Sequence, residues 1–262
     1  MNEKFTADLK TTGPVLDDSL RILKRLSELK SIDALEKELF ENNLLLKASK
    51  RRIENVYRSI KKRYLHNLEK QDISVNPLLL AIQYLSKEEC YFLLYYHMCR
   101  SDRLLFNFVK EVVYPRYIQG FLGVSNEDSE QFLIASSKTH EEMRNWTERT
   151  FRDLKSALIT VLLEVGFLKN RKNPTFNDDI YLSNRVFGYV LYSNINSIQT
   201  LEDVYEHDDF ELFLLDRQQR KMLIKELEVS GVIHLEEQIE TKINYKFPSL
   251  KEFVIHYVIG ED

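Results

Sequence analysis

The sequence predicts a compact, mainly α-helical protein with short β-hairpins. Apolar residues recur at spacings of three and four along most of the chain, as at Leu16, Leu20 and Leu23, and this is the period of an amphipathic helix. The 262 residues include only 7 Gly and 5 Pro, so helix breakers are scarce. Apolar residues make up 44% of the chain and charged residues 30%, a balance typical of an ordered globular protein.

The same periodicity places further helices along the chain. They are predicted at Asp33–Phe40, Pro77–Leu85, Lys87–Cys99, Arg103–Val113, Asp128–Ser136, His140–Asn145, Phe151–Val165 and Asp216–Val229. Polar residues at 193–197 interrupt the pattern, and we predict a division there. Residues 1–195 then form a helical core, and residues 196–262 form an extension of one helix and a hairpin.

Two segments resemble the helix-then-wing ending of a winged helix-turn-helix. In each, a helix stops at a glycine, Gly166 or Gly231, because glycine tolerates the left-handed dihedral angles of a helix end. Short β-prone segments then flank a polar turn. The first hairpin is predicted to pair residues 167–169 with 180–182, and the second to pair 232–235 with 243–247.

Composition also bounds the location and the redox chemistry. No apolar run approaches the ~20 residues that cross a bilayer, and Met1–Lys10 lacks the apolar stretch of a signal peptide. We therefore expect a cytoplasmic protein with no membrane association. Cys90 and Cys99 flank His97 in an apolar segment, but a four-ligand zinc set is missing. The two cysteines are predicted to be reduced core residues, and we expect neither a metal nor a cofactor.

Charge is distributed unevenly along the chain. The formal net charge is −4, yet residues 47–63 carry eight basic side chains and one acidic side chain, Glu54, which leaves the rest of the chain at −11. Six acidic residues lie between positions 202 and 211 without a Lys or Arg. This acidic cluster is typical of a solvated face, and a site for a basic partner is the alternative.

The segment Ser49–Arg63 reads as one amphipathic basic helix. Ser49 is a preferred N-cap residue, and Ile53, Val56 and Ile60 are predicted to face a core while Lys and Arg face solvent. A helix at Asp33–Phe40 precedes this segment, so it fits the second helix of a helix-turn-helix. A merely solvated basic face is the alternative.

The position of the cations within this helix favours an anionic ligand. Basic residues near the C-terminus are stabilised by the helix dipole and need no further explanation. Lys50, Arg51 and Arg52 lie at the opposite end, where the dipole disfavours each cation by roughly 0.3–1 kcal/mol at low salt. A phosphate docked on that turn is stabilised by both the amides and the side chains. The sequence therefore predicts phosphate contacts there.

A second basic helix is predicted within Thr147–Val165. Arg149, Arg152 and Lys155 step along its outer face, and residues 144–172 carry seven bases against three acids. The alternative interpretation is an amphipathic core helix whose outer face is merely solvent-exposed. Two basic helices in one acidic protein favour a nucleic-acid interface.

Several short motifs, in this order and spacing, resemble the BrxA family of bacterial BREX phage-exclusion systems. They are Glu41-Asn-Asn-Leu44, Ser49-x-x-x-Ile53, Ile60-Lys-Lys-Arg-Tyr-Leu65, Phe106-x-Phe-Val-Lys-Glu-Val-Val113 and Leu162-Leu-Glu-Val-Gly-Phe-Leu168. The resemblance covers roughly residues 5–195. It implies a largely helical fold with two helix-turn-helix motifs beside positive patches, binding to duplex DNA, and a role alongside a methyltransferase, an ATPase and other defence proteins.

Catalytic motifs are absent or incomplete. The scattered glycines form no phosphate-binding loop and no nucleophile elbow. The best enzymatic lead is Glu240-Thr241-Lys242, similar to the Glu-x-Lys of restriction-type nucleases, but the upstream metal-binding Asp would have to be Asp216, which precedes a helix. We therefore expect a structural turn there and no enzymatic activity.

The sequence thus favours a non-enzymatic protein that binds double-stranded DNA. The candidate DNA contacts are Lys47, Lys50, Arg51, Arg52, Arg58, Lys61, Lys62, Arg63, Arg149, Arg152, Lys155, Lys169, Arg171 and Lys172. The alternative is a protein-interaction scaffold, in which the basic helix docks an acidic partner or the protein's own 202–211 cluster.

Overall fold

A computed structural model describes residues 4–65, 72–237 and 239–261 and confirms the mainly α class. The helices are α1 (Leu9–Thr12), α2 (Leu16–Leu29), α3 (Ile32–Glu41), α4 (Lys50–Ile60), α5 (Pro77–Tyr84), α6 (Lys87–Ser101), α7 (Arg103–Phe108), α8 (Tyr114–Ile118), α9 (Asn126–Thr139), α10 (Glu148–Val165), α11 (Asn184–Ser193), α12 (Leu201–Glu206), α13 (Asp208–Glu211), α14 (Arg217–Val229) and α15 (Leu250–Phe253). Wider π-helical turns at Lys61–Leu65, Val109–Val113 and Val254–Ile259 continue α4, α7 and α15, and 3₁₀ turns occupy Ile73–Val75 and Glu141–Asn145.

Two antiparallel hairpins complete the secondary structure of the described residues. Strand β3 (Ile233–Glu236) pairs with β4 (Lys242–Tyr245), close to the predicted second hairpin. Strand β1 (Leu168–Lys169) pairs with β2 (Thr175–Phe176). The prediction that residues 180–182 form the return strand of the first hairpin is wrong.

A long-range contact explains the different return strand. The Phe176 amide donates to the Leu122 carbonyl at 2.8 Å, so the hairpin is fixed from outside by the loop after α8. A Cβ atom on Gly123 would lie only 2.1 Å from the Pro174 carbonyl oxygen, so only glycine permits this close approach of the two backbones. Residues 180–182 lie beyond the paired region, and Tyr181 is exposed.

Helix α6 lies at the centre of the core, where α2, α5, α7, α10 and α11 pack around it. Its Tyr95 is fully buried, and the Tyr95 ring meets the rings of Phe167 and Phe213 edge-on at centroid distances of 5.2 and 6.1 Å. Phe167 follows α10 and Phe213 follows α13, so one aromatic cluster joins distant parts of the chain.

The C-terminal residues share this core. The Asp209 carboxylate is buried, and it accepts hydrogen bonds from Tyr96 and Asn194 at 2.8 Å each and from Arg100 at 3.1 Å. Apolar side chains from Phe5 to Val258 belong to one buried cluster. The division of the chain into residues 1–195 and 196–262 stays a prediction.

The N-terminal segment is held against α4 by buried polar groups. The Arg63 guanidinium donates to the Pro14 and Gly13 carbonyls at 2.9 Å each. One helical turn earlier, the Ser59 and Thr12 hydroxyl oxygens lie 2.9 Å apart. These bonds fix the turn between α1 and α2 onto the end of the basic helix.

The same N-terminal segment also contacts α10 and the turn that precedes it. Lys10 Nζ donates to Thr150 Oγ1 at 2.9 Å, and the Phe5 amide donates to Glu142 Oε1 at 2.8 Å. Residues 5–14 therefore lie between α4 and α10 and join the two basic helices.

We predict that Gly188→Ala destabilises the fold, because the new Cβ atom would lie 2.5 Å from Cζ of the buried Phe253 ring. Overpacking of this kind costs about 1–3 kcal/mol, measured as the free energy of unfolding in a denaturant titration. In the double variant with Phe253→Leu, the two losses should be less than additive because the smaller side chain relieves the clash. Additive losses would contradict this account.

We also predict that Arg63→Gln destabilises the protein by about 3 kcal/mol, because it leaves the two buried carbonyls without their charged donor. Arg58→Gln on the same helix is the matched control, since the exposed Arg58 makes no ion pair with a described residue and should change stability by no more than about 0.5 kcal/mol. Equal unfolding free energies for the two variants would refute the structural role of Arg63.

Candidate nucleic-acid interface

Helix α4 presents an uncompensated basic surface. Its start is fixed as predicted, because Ser49 Oγ accepts a hydrogen bond from the Arg52 amide at 3.3 Å. Lys50, Arg51 and Arg58 are exposed, and none of the three pairs with a carboxylate among the residues that the structure describes. Within the described part of the chain, three positive charges on this helix therefore have no acidic partner.

Three other lysines around α4 that we predicted to contact DNA already pair with carboxylates. The pairs are Lys47 with Asp18 at 2.8 Å, Lys61 with Glu36 at 3.5 Å, and Lys62 with Asp8. Lys61 Nζ also lies 5.5 Å from the centre of the Tyr57 ring. These cations remain partly accessible, with 30% to 52% of each side chain exposed, but a ligand would have to compete with the internal partners.

Arg52 has both an exposed surface and a structural contact. Its guanidinium donates to the Thr11 carbonyl at 3.3 Å and approaches the Thr12 carbonyl at 3.5 Å. Its replacement would therefore disturb the N-terminal segment as well as the charge. Charge reversal without loss of stability is accordingly expected only for Lys50 and Arg51.

The prediction that Arg63 contacts DNA is wrong. Only 5% of the residue is exposed, and its guanidinium donates to the Gly13 and Pro14 carbonyls of the N-terminal segment instead of facing solvent. The helical spacing in the sequence already indicated that Arg63 faces the core. Arg63 lies three residues after Ile60 and seven after Val56, on the apolar face that the helical period itself defines.

Helix α10 is less basic in the structure than in the sequence. Arg149 and Arg152 are exposed as expected, but Asp153 lies 3.6 and 3.8 Å from their guanidinium groups. The expectation that Lys155 is exposed is wrong, because its side chain is only 25% exposed and pairs with Glu130 of α9 at 3.1 Å. The partner sits on another helix, so local sequence around Lys155 gave no sign of it.

The first hairpin adds a short basic stretch. Lys169 pairs with Asp178, and Arg171 donates to Thr160 Oγ1 at 3.2 Å. Lys172 is exposed and pairs with no carboxylate within the described segments. A ligand could therefore contact Lys172 without displacing a described partner, unlike Lys169.

The first turns of α4 and α10 lie on either side of α1. Arg52 reaches the carbonyls of α1 from one side, and Thr150 accepts a hydrogen bond from the exposed Lys10 of α1 on the other. Sequence reasoning missed Lys10, because only the tertiary structure places it between the two helices. The two basic surfaces that the sequence suggested are thus neighbours.

The connections that precede these helices are longer than the three- or four-residue turn of a standard helix-turn-helix. Residues 42–49 separate α3 from α4, and residues 140–147, which include the 3₁₀ turn, separate α9 from α10. The identification of two helix-turn-helix motifs stays a prediction.

The acidic cluster at 202–211 serves the fold. Glu202 pairs with Arg217 at 2.7 Å, and Asp208 pairs with Lys110 at 2.5 Å. Asp203 closes a capping box with Thr200, and Asp209 is buried. The described ion pairs of the cluster join it to α14, α6 and the turn after α7. The acidic cluster is therefore not the docking site of the basic helix α4.

The residues considered for metal or nuclease chemistry have structural contacts. Burial raises the pKa of the Cys90 thiol to about 11, and it also raises the pKa of the Cys99 thiol. His97 Nε2 lies 2.9 Å from the Tyr189 hydroxyl oxygen. Among the described residues, no three His, Cys, Asp or Glu side chains are grouped as a metal site requires.

The Glu240-Thr241-Lys242 segment pairs with the backbone before α12. The Leu201 amide donates to the Thr241 carbonyl at 2.9 Å, while Asp216 accepts a hydrogen bond from the Gln219 amide as the N-cap of α14.

Within residues 4–65, 72–237 and 239–261, no helix combines the length and apolar character that crossing a bilayer requires.

A solved structure of an uncharacterized protein from Magnetospirillum magneticum is similar in fold. The TM-score is 0.61 at 18% sequence identity, and the match covers 80% of this chain and 98% of that chain. At this identity the likeness concerns the fold alone.

Relatives in sequence confirm the resemblance drawn from the short motifs. A protein of Bacillus cereus (strain H3081.97) named BREX protein BrxA is 30% identical over 106 residues, which are 38% of this chain and 53% of that protein. The chain thus matches about half the length of this curated relative. A model of the BrxA family matches residues 3–193, and the chain therefore belongs to the BrxA family of BREX proteins.

Proposed function

We propose that the protein binds double-stranded DNA, without catalysing a reaction on it, as a component of a BREX phage-defence system that also contains a methyltransferase and an ATPase. The exposed Lys50, Arg51 and Arg58 of α4 carry the proposal. Lys50 and Arg51 stand at the positive end of the helix dipole, where cations are disfavoured until an anion binds.

The arrangement around α4 supports a long anionic ligand. Carboxylates pair with Lys47, Lys61 and Lys62, whereas no carboxylate of the described residues pairs with Lys50 or Arg51 in the first turn of α4. Arg149 and Lys172 offer further exposed charge near α10 and the first hairpin. A duplex has a regularly spaced row of phosphates, so one ligand could contact several of these groups.

We predict that Lys50→Glu/Arg51→Glu weakens duplex binding without loss of stability. Two lost phosphate contacts should flatten the dependence of log affinity on log salt by about 1.8, which is roughly 60-fold in affinity at 0.1 M salt relative to a 1 M reference. Stability should be unchanged or slightly higher, because cations leave a helix N-terminus. Fluorescence anisotropy over a salt series and thermal unfolding measure the two effects.

The matched control is Lys221→Glu/Lys225→Glu on α14, which also reverses two exposed charges four residues or fewer apart on one helix. It should retain the parent salt slope. Absence of duplex binding by the parent protein would overturn the proposal and favour the scaffold alternative. Equal losses in both double variants would show a general charge effect and remove α4 from the interface.

We further predict that the purified protein leaves supercoiled plasmid DNA intact in the presence of Mg²⁺, because the residues considered for nuclease chemistry serve as a cap and a strand. Gel electrophoresis of the plasmid measures this. Cleavage that depends on magnesium and disappears in Lys242→Ala would contradict the non-enzymatic assignment.

A further inference from the structure

A small polar cleft lies beside α4, between α1 and the junction of α6 with α7. Its volume is about 160 Å³, which is room for a phosphate group with a few waters. Every residue that lines it is polar or charged: Asp8, Thr11, Asn55, Arg58, Ser59, Lys62, Arg63, Ser101 and Asp102. The hydroxyl, amide and cationic groups among them can donate hydrogen bonds to the oxygens of a small anionic group such as phosphate.

One face of the basic helix forms the floor of the cleft. Asn55, Arg58, Ser59 and Lys62 have the i, i+3, i+4, i+7 spacing of a single helix face. Such a stripe is usually apolar where a helix lies against a neighbouring element. Here it is polar along its whole length, although α1 covers part of it.

Several donors on the cleft wall have no internal partner. The side chains of Thr11, Asn55 and Arg58 form no hydrogen bond or ion pair with any residue in the described ranges. Backbone and side-chain donors of this kind, grouped around a cation, are the groups that bind phosphate oxygens in proteins.

The carboxylate of Asp8 already pairs with one cation of the cleft, Lys62. Asp8 pairs with Lys62 and also accepts a hydrogen bond from Thr6 Oγ1 at 2.9 Å. Partial burial raises the pKa of Asp8, but the bonds from Lys62 and Thr6 outweigh it, and the net effect is a lowered pKa. Burial raises the pKa of Asp102, on the opposite wall, to about 6.

We infer that this cleft binds a phosphate group of the DNA backbone, through Arg58 and Lys62, and that the Asp8 carboxylate holds Lys62 in its place when DNA is absent. The inference rests on the proposed DNA binding and extends it by naming a built contact site. Asp8 is then a competitor for the phosphate. Lys62 exchanges one anionic oxygen for another when the duplex binds, and no bond other than hydrogen bonds is made or broken.

The competition gives two opposite effects on duplex binding. Arg58→Gln should remove one phosphate contact, which flattens the salt slope by about 0.9 and weakens binding roughly eight-fold at 0.1 M salt. Asp8→Asn should remove the competitor for Lys62, which strengthens binding by up to about five-fold, the stability of a partly exposed ion pair, and leaves the salt slope unchanged because Lys62 contacts the phosphate in both proteins. The probe is a duplex without terminal phosphates, measured by anisotropy as for the parent.

A double-variant cycle separates release of Lys62 from a general gain of positive charge. In a Lys62→Gln background, Asp8→Asn should no longer strengthen duplex binding, because the cation that it releases is missing. A gain that persists in this background would show a field effect and overturn the inference. Glu54→Gln, an exposed change of the same charge on α4 outside the cleft, should give the same small change in both backgrounds.

The outcomes distinguish this inference from the proposed function. Duplex binding that Lys50→Glu/Arg51→Glu weakens, but that Arg58→Gln and Asp8→Asn leave unchanged, would refute the cleft and keep the DNA interface. A second arm titrates inorganic phosphate by ³¹P NMR. Phosphate binding that Arg58→Gln abolishes, without any effect of that variant on duplex binding, would show a site for free phosphate and overturn the inference as well.

Discussion

The buried contact of Arg63 with the backbone carbonyls of Gly13 and Pro14 is the constraint on which the candidate interface depends. A guanidinium presents five donors in a rigid fork, so it donates to two neighbouring carbonyls at once, and the Gly13 carbonyl also accepts a hydrogen bond from Thr12 Oγ1 at 3.4 Å. The bond fixes α1 against α4. Because α1 also contacts α10 through Lys10 and Thr150, the position of one side chain determines how the two basic helices stand beside each other.

The fold divides the basic residues between structural and accessible roles. Carboxylates from α2, α3 and the N-terminal segment neutralise Lys47, Lys61 and Lys62, whereas Lys50, Arg51 and Arg58 keep their charge uncompensated. Partly exposed pairs of this kind contribute little to stability. Their more important consequence is electrostatic, because they reduce the positive charge at Lys47, Lys61 and Lys62 but not at Lys50, Arg51 and Arg58.

Buried polar groups also attach the C-terminal residues. Arg220 is fully buried and, among the residues that the structure describes, pairs with no carboxylate; it donates instead to the carbonyls of Leu215, Tyr205 and His207. Burial lowers the pKa of its guanidinium, since a charge in a low-dielectric site is disfavoured, and the carbonyls with the nearby acidic groups limit this cost. The acidic stretch at 202–211 thus supplies backbone carbonyls to a buried cation and contributes Asp209 to the core.

The sequence by itself determined the helical class, the cap at Ser49, the glycine ends of α10 and α14, the second hairpin and the family, because these depend on local periodicity, local dihedral preferences and short motifs. It also located the concentration of positive charge on α4. Tertiary structure alone decided which of those cations are accessible and where the first hairpin returns. Lys155 pairs with Glu130, and Lys62 pairs with Asp8. Strand β2 is fixed by the hydrogen bond between the Phe176 amide and the Leu122 carbonyl. In each case the partner is distant in sequence. Charge on a helix face is a local property, but its neutralisation depends on groups that only the packing of distant segments brings within a few ångströms.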